Sequence, residues 1–205
     1  MTIIQQSPEW IAARLGRCTA SRIADVMAKT KSGYSTSRAN YCAQLVAERL
    51  TGVKAESYTN GAMQWGTDNE AEARQAYAFY NDVDVIEIGF VDHPVIPMSG
   101  ASPDGLVEDV GLVEIKCPNT ANHIETLISQ KVPNKYILQM HWQMACTGRE
   151  WCDFVSYDPR MPEDLRLFIR RVHLDAKLLT EITEEVTSFL AEVDSVIDKL
   201  NQLRA

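Results

Sequence analysis

Ser102-Pro103-Asp104-Gly105-Leu106-Val107-Glu108-Asp109-Val110-Gly111-Leu112-Val113-Glu114-Ile115-Lys116-Cys117-Pro118 is the stretch that decides how this chain reads. Two apolar pairs, Leu106-Val107 and Leu112-Val113, flank a turn holding Asp109 and Gly111, the pattern of a β-hairpin. With the turn centred on Asp109, Asp104 and Glu114 stand opposite one another. Opposed strand residues share a face, with Cβ atoms about 5 Å apart. The strand period of two adds Lys116 to that face and turns Val113 and Ile115 toward a core. An exposed hairpin with alternating charges would carry the same residues, since Ser102-Pro103-Asp104-Gly105 is also an ordinary turn composition.

Two carboxylates side by side repel unless a cation lies between them. Hard oxygen donors of this kind suit Mg²⁺ or Mn²⁺. A lysine beside such a metal orients or deprotonates a water and stabilises charge building on a phosphoryl group. Asp104, Glu114 and Lys116 are therefore candidates for phosphodiester hydrolysis. A neighbouring helix argues against the bland reading. Across Ala62–Tyr80, Met63, Ala73, Tyr77 and Tyr80 share one stripe; Glu70 lies on it and Glu72 off it. A carboxylate on an apolar stripe is costly unless paired or metal-bound, so Glu70 reads as a third acid of the same site.

Outward from the hairpin, the order is helices, then strands, helices and strands again. Ser7 or Pro8 opens a short helix through Arg14, and Thr19 reads as the N-cap of Ala20–Lys29. Thr30–Ser37 is loop-like, and Arg38–Leu50 is a helix closed by Thr51-Gly52. Strand signals cover Val83–Val91, Val95–Met98, Gly105–Val107, Leu112–Cys117, Cys152–Tyr157 and Leu167–Leu174. Ala121–Ser129 and Asn134–Thr147 read as helices. Asp175–Leu203 spaces its apolar residues at three and four, an amphipathic helix. This order predicts one α/β (α+β) domain over residues 1–205 with a central mixed β-sheet flanked by helices. Residues 1–60 would be a helical part, 61–174 the catalytic core and 175–205 the terminal helix.

The chain of 205 residues has a formal charge of −8, distributed unevenly. Residues 1–54 carry eight basic and three acidic side chains; residues 55–109 carry eleven acidic ones and a single base, Arg74. Global charge thus excludes a small basic nucleic-acid binder but not an enzyme with a local basic face. No apolar run reaches the roughly 18 residues of a membrane span. Five cysteines without a Cys-x-x-Cys fit neither a zinc site nor a disulfide framework, which points to reduced thiols in a cytosol. Gly-x-x-x-x-Gly-Lys is absent, against a P-loop nucleotide hydrolase.

Pro103-Asp104, nine residues and Glu114-x-Lys116 match the signature of the PD-(D/E)xK nucleases. Trp65-Gly66-x-x-x-Glu70, Cys117-Pro118 and the helix of Gln139 match one branch. The likeness runs from Arg14-Leu15-Gly16-x-x-Thr19-Ala20-Ser21 to Tyr157-Asp158-Pro159-Arg160-Met161. The chain thus resembles the phage lambda exonuclease, or YqaJ-type viral recombinase, group of alkaline exonucleases.

The resemblance implies a restriction-endonuclease-like core with Asp104, Glu114 and the Ile115 carbonyl as ligands of Mg²⁺. Two ions per site are expected, with Mn²⁺ as a substitute. Lys116 would position or activate the attacking water, Gln139 would hold the nucleophile region, and Glu70 would support the second metal directly or through water. Arg14, Ser21 and Ser102 match a pocket for a 5′ phosphate. A further family arginine falls on Asn122, with His123 beside it as a partial substitute, and a second family glutamine falls on His141. Met63 matches an apolar wedge into the duplex end, though a core methionine is an equal reading, and Lys31 matches a loop contact to DNA. Implied partners are double-stranded DNA ends, a phage-type single-strand annealing protein and two further copies of the chain in a homotrimeric ring, in the cytoplasm. The implied activity is 5′→3′ degradation of one strand of linear duplex to mononucleotides. A structure-specific or restriction-type endonuclease, or an inactive nuclease-fold binding module, are the competing readings.

Overall fold

The computed structural model describes residues 5–55 and 61–204, and the Met63 side chain lies outside the described part. In chain order its elements are α1 (Pro8–Arg14), β1 (Cys18–Thr19), a 3-10 turn (Ala20–Arg22), α2 (Ile23–Met27), β2 (Lys29–Thr30), β3 (Gly33–Tyr34), α3 (Thr36–Thr51) and α4 (Gly61–Asn81). Then follow β4 (Val85–Ile86), β5 (Val91–Asp92), β6 (Ser99–Ala101), β7 (Gly105–Val107), β8 (Gly111–Lys116), α5 (Thr120–Ser129) and α6 (Asn134–Thr147). The chain ends in β9 (Trp151–Tyr157), a second 3-10 turn (Glu163–Leu165), β10 (Leu167–His173) and α7 (Ala176–Gln202).

The main sheet has five strands in the order β10-β9-β8-β7-β4. It is mixed: β8 and β9 are parallel, whereas the other neighbours are antiparallel. A parallel pair needs a long crossover, and α5 with α6 supplies it. Both faces of β8 and β9 are covered. Val113, Ile115, Val155 and Tyr157 pack with Ala73 and Tyr77 of α4. Leu112, Cys152 and Phe154 pack on the other face with Met140 and Met144 of α6. The face that carries Glu114 is therefore interior, held under a helix, rather than open to solvent.

A third apolar cluster joins α2, α3, α6 and α7 through Ile23, Val26, Tyr41, Leu45, Trp142, Ile182, Val186 and Phe189. The terminal helix thus buries its stripe on its own domain. Each fully buried side chain of this size contributes about 1.5–3 kcal/mol, an upper estimate.

Five local expectations change. The Val83–Val91 strand splits into β4 and β5, which join different sheets. Val95–Met98 is a turn, because the His93 ring accepts from the backbone N–H groups of Val95 and Ile96, and Met98 takes a left-handed φ of 58°. Thr19 makes no side-chain cap; its N–H instead donates to the Tyr41 hydroxyl, and the helix it precedes ends at Met27. The loop over 30–37 contains the β2–β3 hairpin. Tyr80, placed on the stripe of α4, is 74% exposed and stands outside the apolar cluster that takes Ala73 and Tyr77.

Candidate active site

The hairpin forms as its sequence dictates. Gly105 pairs with Val113, Leu106 with Leu112 and Val107 with Gly111, a register that sets Asp104 opposite Glu114. Arg149 clamps the turn by donating to the carbonyls of Val107, Glu108 and Gly111 at 2.7–3.1 Å. Glu108 turns the corner with a left-handed φ of 49°. Gly105 is required by space: a Cβ there would stand 2.2 Å from Cγ1 of Val85 on the adjacent strand.

Asp104 is 8% exposed and Glu114 is 0% exposed. Asp104 Oδ2 accepts from the backbone N–H of Ile115 at 2.7 Å. Glu114 is held from three directions. Its Oε1 is paired with the Lys116 ammonium and accepts from Gln139 Nε2 at 2.7 Å, while its Oε2 accepts from Gln143 Nε2 at 2.6 Å. Burial raises the Asp104 pKa well above the ordinary carboxylate value, and the charges of Glu114 and Glu70 raise it further. Burial alone would lower the Lys116 pKa, but Glu114 and Asp104 outweigh it and drive it up. In the metal-free chain Lys116 is therefore a fixed ammonium that donates hydrogen bonds.

Glu70 is on the buried side of α4 as read from the stripe, but it is paired. Arg74 Nη2 donates to its Oε1 at 2.6 Å, one helical turn away. Arg74 also donates to the Asp104 carbonyl at 3.2 Å and pairs with Glu87 at 3.0 Å. Burial raises the Glu70 pKa despite Arg74 and Lys116. Among the described residues no three of His, Cys, Asp and Glu are grouped to hold a metal. The donor set that fits Mg²⁺ is thus the buried pair Asp104–Glu114, two hard oxygen ligands whose mutual repulsion a cation removes. Glu70, expected to support a second metal directly or through water, is held here by its ion pair with Arg74.

Of the candidate phosphate residues, the fold unites Arg14 and Ser102 across the chain. Arg14 Nη1 and Trp10 Nε1 both donate to Ser102 Oγ, at 3.1 and 2.9 Å. The Arg14 guanidinium lies 4.2 Å over the Trp10 ring, and Ser21 lines the same cavity of about 290 Å³. His123 does not belong with them. It is fully buried, with Nδ1 against Ser156 Oγ at 2.8 Å and Nε2 against the Leu165 carbonyl at 2.9 Å, so the expected phosphate contact is withdrawn. His141 also has a structural place: its Nε2 accepts from the Asp175 N–H where α7 begins. Lys31 is exposed at the tip of the β2–β3 hairpin. The Met63 wedge falls outside the described residues.

The basic first block is largely neutralised. Arg17 pairs with Asp92, Arg22 with Asp25, Lys29 and Arg38 with Glu185, and Arg49 with Asp194. An extended basic face built from that block is thereby reduced to a few groups, Arg14 and Lys31 among them. A separate cavity of about 480 Å³ opens beside Lys116, with Lys131, Lys135 and Tyr136 on its wall. Sequence reasoning missed Arg74 and Gln143. Each lies four residues from a residue it had singled out, which is the one signal that could have found them.

A mixed sheet presenting two carboxylates and a lysine from one hairpin defines a nuclease-fold α/β protein. Residues 9–150 match the family model of the YqaJ-like viral recombinase domain, and the chain belongs to that family. It is 52% identical to an alkaline exonuclease, LHK-Exo, from Laribacter hongkongensis, with a TM-score of 0.90 over 97% of this chain and 98% of that one. The complex of LHK-Exo with dAMP superimposes with a TM-score of 0.91. A phage related exonuclease from Haemophilus somnus 129PT, 15% identical over 90% of this chain and 96% of that one, shares the fold with a TM-score of 0.74. An uncharacterized protein of Acanthamoeba polyphaga mimivirus is 27% identical over 74% of this chain, which spans 29% of that relative's length. No helix among the described residues is long and apolar enough to cross a membrane.

Proposed function

We propose that the chain is a Mg²⁺-dependent exonuclease acting on linear double-stranded DNA. It degrades one strand from the 5′ end to mononucleotides and leaves a 3′ single strand for recombination by annealing. The observation that carries this reading is the convergence of Asp104, Glu114 and Lys116 from one hairpin, in a chain 52% identical to an alkaline exonuclease.

Asp104, Glu114 and the Ile115 carbonyl would hold the cation, with Glu70 reaching a second one through water; Mn²⁺ would substitute. Such a cation, when bound, polarises a phosphoryl oxygen and makes water a better nucleophile. The chain's own groups do the rest. Lys116, fixed as an ammonium, donates to the attacking water or to a phosphate oxygen as negative charge develops there. Gln139 fixes the Glu114 carboxylate by its 2.7 Å hydrogen bond. Arg14, held by the Trp10 face and Ser102, presents its remaining donors to the terminal 5′ phosphate, with Ser21 at the rim. Lys31 reaches duplex flanking the site.

The family likeness supports a homotrimeric ring that retains duplex, an annealing protein that loads on the exposed strand, and a cytoplasmic setting. The test is digestion of linear duplex labelled at either end, with and without 5′ phosphate, in Mg²⁺ and in chelator. Release of 5′ label as mononucleotide, only with Mg²⁺ and with closed circles intact, is the expected result. Ready cutting of closed circular DNA would instead mark an endonuclease, and no cleavage at all a DNA-binding module.

A further inference from the structure

We propose that Gln143 is a positioning residue that aims the open oxygen of Glu114 at the divalent cation; this role rests on the nuclease reading above. Gln139 and Gln143 are four residues apart on α6 and therefore share a face. Their amides reach different oxygens of one carboxylate, Gln139 on Oε1 at 2.7 Å and Gln143 on Oε2 at 2.6 Å.

A carboxylate oxygen offers about two acceptor positions. Oε1 uses both, for Gln139 and for Lys116, whereas Oε2 uses one, for Gln143. Oε2 is thus the oxygen with capacity left for a cation, and Gln143 is the only donor on it among the described residues. Glu114 and Gln143 are both 0% exposed, and the neighbours of Gln143 on α6 include the buried Met140 and Met144. In that apolar setting no bulk water replaces the amide.

The same side chain carries a cost. Gln143 Oε1 is buried and has no hydrogen-bond partner among the described residues. An unpaired buried carbonyl is destabilising, and methionine would fill similar space without it. A glutamine kept against the interest of packing, with its donor on a proposed metal ligand, is the kind of local conflict expected at a functional site. Groups that orient a metal ligand without touching the metal typically change metal affinity about 10–100-fold when removed.

The experiment is direct Mn²⁺ binding by titration calorimetry on the full chain without DNA, comparing wild type with Gln143→Met. The expected result is a Kd raised about 10-fold or more, with a raised Mg²⁺ requirement in digestion and an unchanged KM for DNA ends. Met144→Leu, a change within the apolar cluster of α6, should keep the wild-type Kd. A Gln143→Met protein that melts earlier yet binds Mn²⁺ within twofold of wild type would show a merely structural glutamine and overturn the proposal. Should that variant fail to fold, Gln143→Asn, which withdraws the amide by one methylene, replaces it. A tenfold loss there supports the role, and wild-type affinity overturns it. Wild type that binds Mn²⁺ but digests no DNA overturns only the nuclease reading; wild type that binds no Mn²⁺ overturns both.

Discussion

Asp104 and Ile115 are joined across the hairpin by a 2.7 Å hydrogen bond in which the Ile115 N–H donates to Asp104 Oδ2. The bond fixes the acid opposite Glu114, in a place where burial and two neighbouring acids disfavour its charge. A carboxylate whose folded pKa is raised contributes stability below its unfolded value of about 3.9, and that stability is lost as pH rises through the folded pKa. Asp104→Asn keeps an acceptor for Ile115 and removes the charge. In chelator it should therefore melt above wild type at pH 8, with the difference closing toward pH 4. Thermal melts across that range test this, and equal melting at pH 8 would refute it. Mg²⁺ should stabilise wild type and not the variant.

Lys116→Met should lower turnover by about 10²–10⁴-fold, the usual worth of a positioned donor or proton-transfer group. The circular-dichroism spectrum should be unchanged, since Lys116 ends its strand and is partly exposed. Single-turnover digestion of a 5′-phosphorylated duplex is the measurement, and near-native rates would remove Lys116 from the mechanism.

Asp158, buried just beyond β9, accepts from the Arg160 backbone N–H at 3.0 Å and from its guanidinium at 2.7 and 2.9 Å. Burial alone would raise its pKa, but the bonds from Arg160 and Thr120 lower it to about 2. A depressed carboxylate contributes stability above its unfolded pKa and loses it as pH falls to the folded one. Asp158→Asn should cost about 1–2 kcal/mol at pH 7, discounted because Arg160 is half exposed, and only a small fraction of that near pH 2. Urea denaturation at both pH values decides the matter.

Gly105→Ala should destabilise the chain by about 1–3 kcal/mol, because the new Cβ meets Val85 at 2.2 Å and Val113 at 3.1 Å. Pushing β4 from β7 also moves Asp104, so turnover should fall by more than stability does. Parallel chemical denaturation and digestion assays would expose a variant that loses neither.

The hairpin was legible because its information is local: a turn, a period of two and two apolar pairs set the register that places Asp104 opposite Glu114. The helices Asn134–Thr147 and Ala176–Gln202 were legible for the same reason, their apolar spacing running undisturbed over several turns. Short strands such as β4 and β5 were not. Two residues carry too little pattern, and only their partners assign them to different sheets. His123 was misplaced because adjacency to Asn122 in sequence says nothing about which way a helix turns its side chains, and α5 turns this one onto Ser156.

By itself, then, the sequence determined the identity of the acids and the lysine, their register on one hairpin and the likeness to a nuclease family. Tertiary structure alone decided their charge states and their company. Glu114 lies beneath α6 rather than in solvent, Lys116 is locked as an ammonium, Glu70 is held by Arg74, and half of the basic side chains of the first block are paired with acids from distant segments. Register follows from neighbours along the chain, whereas desolvation and ion pairing depend on groups brought together across as many as 156 residues.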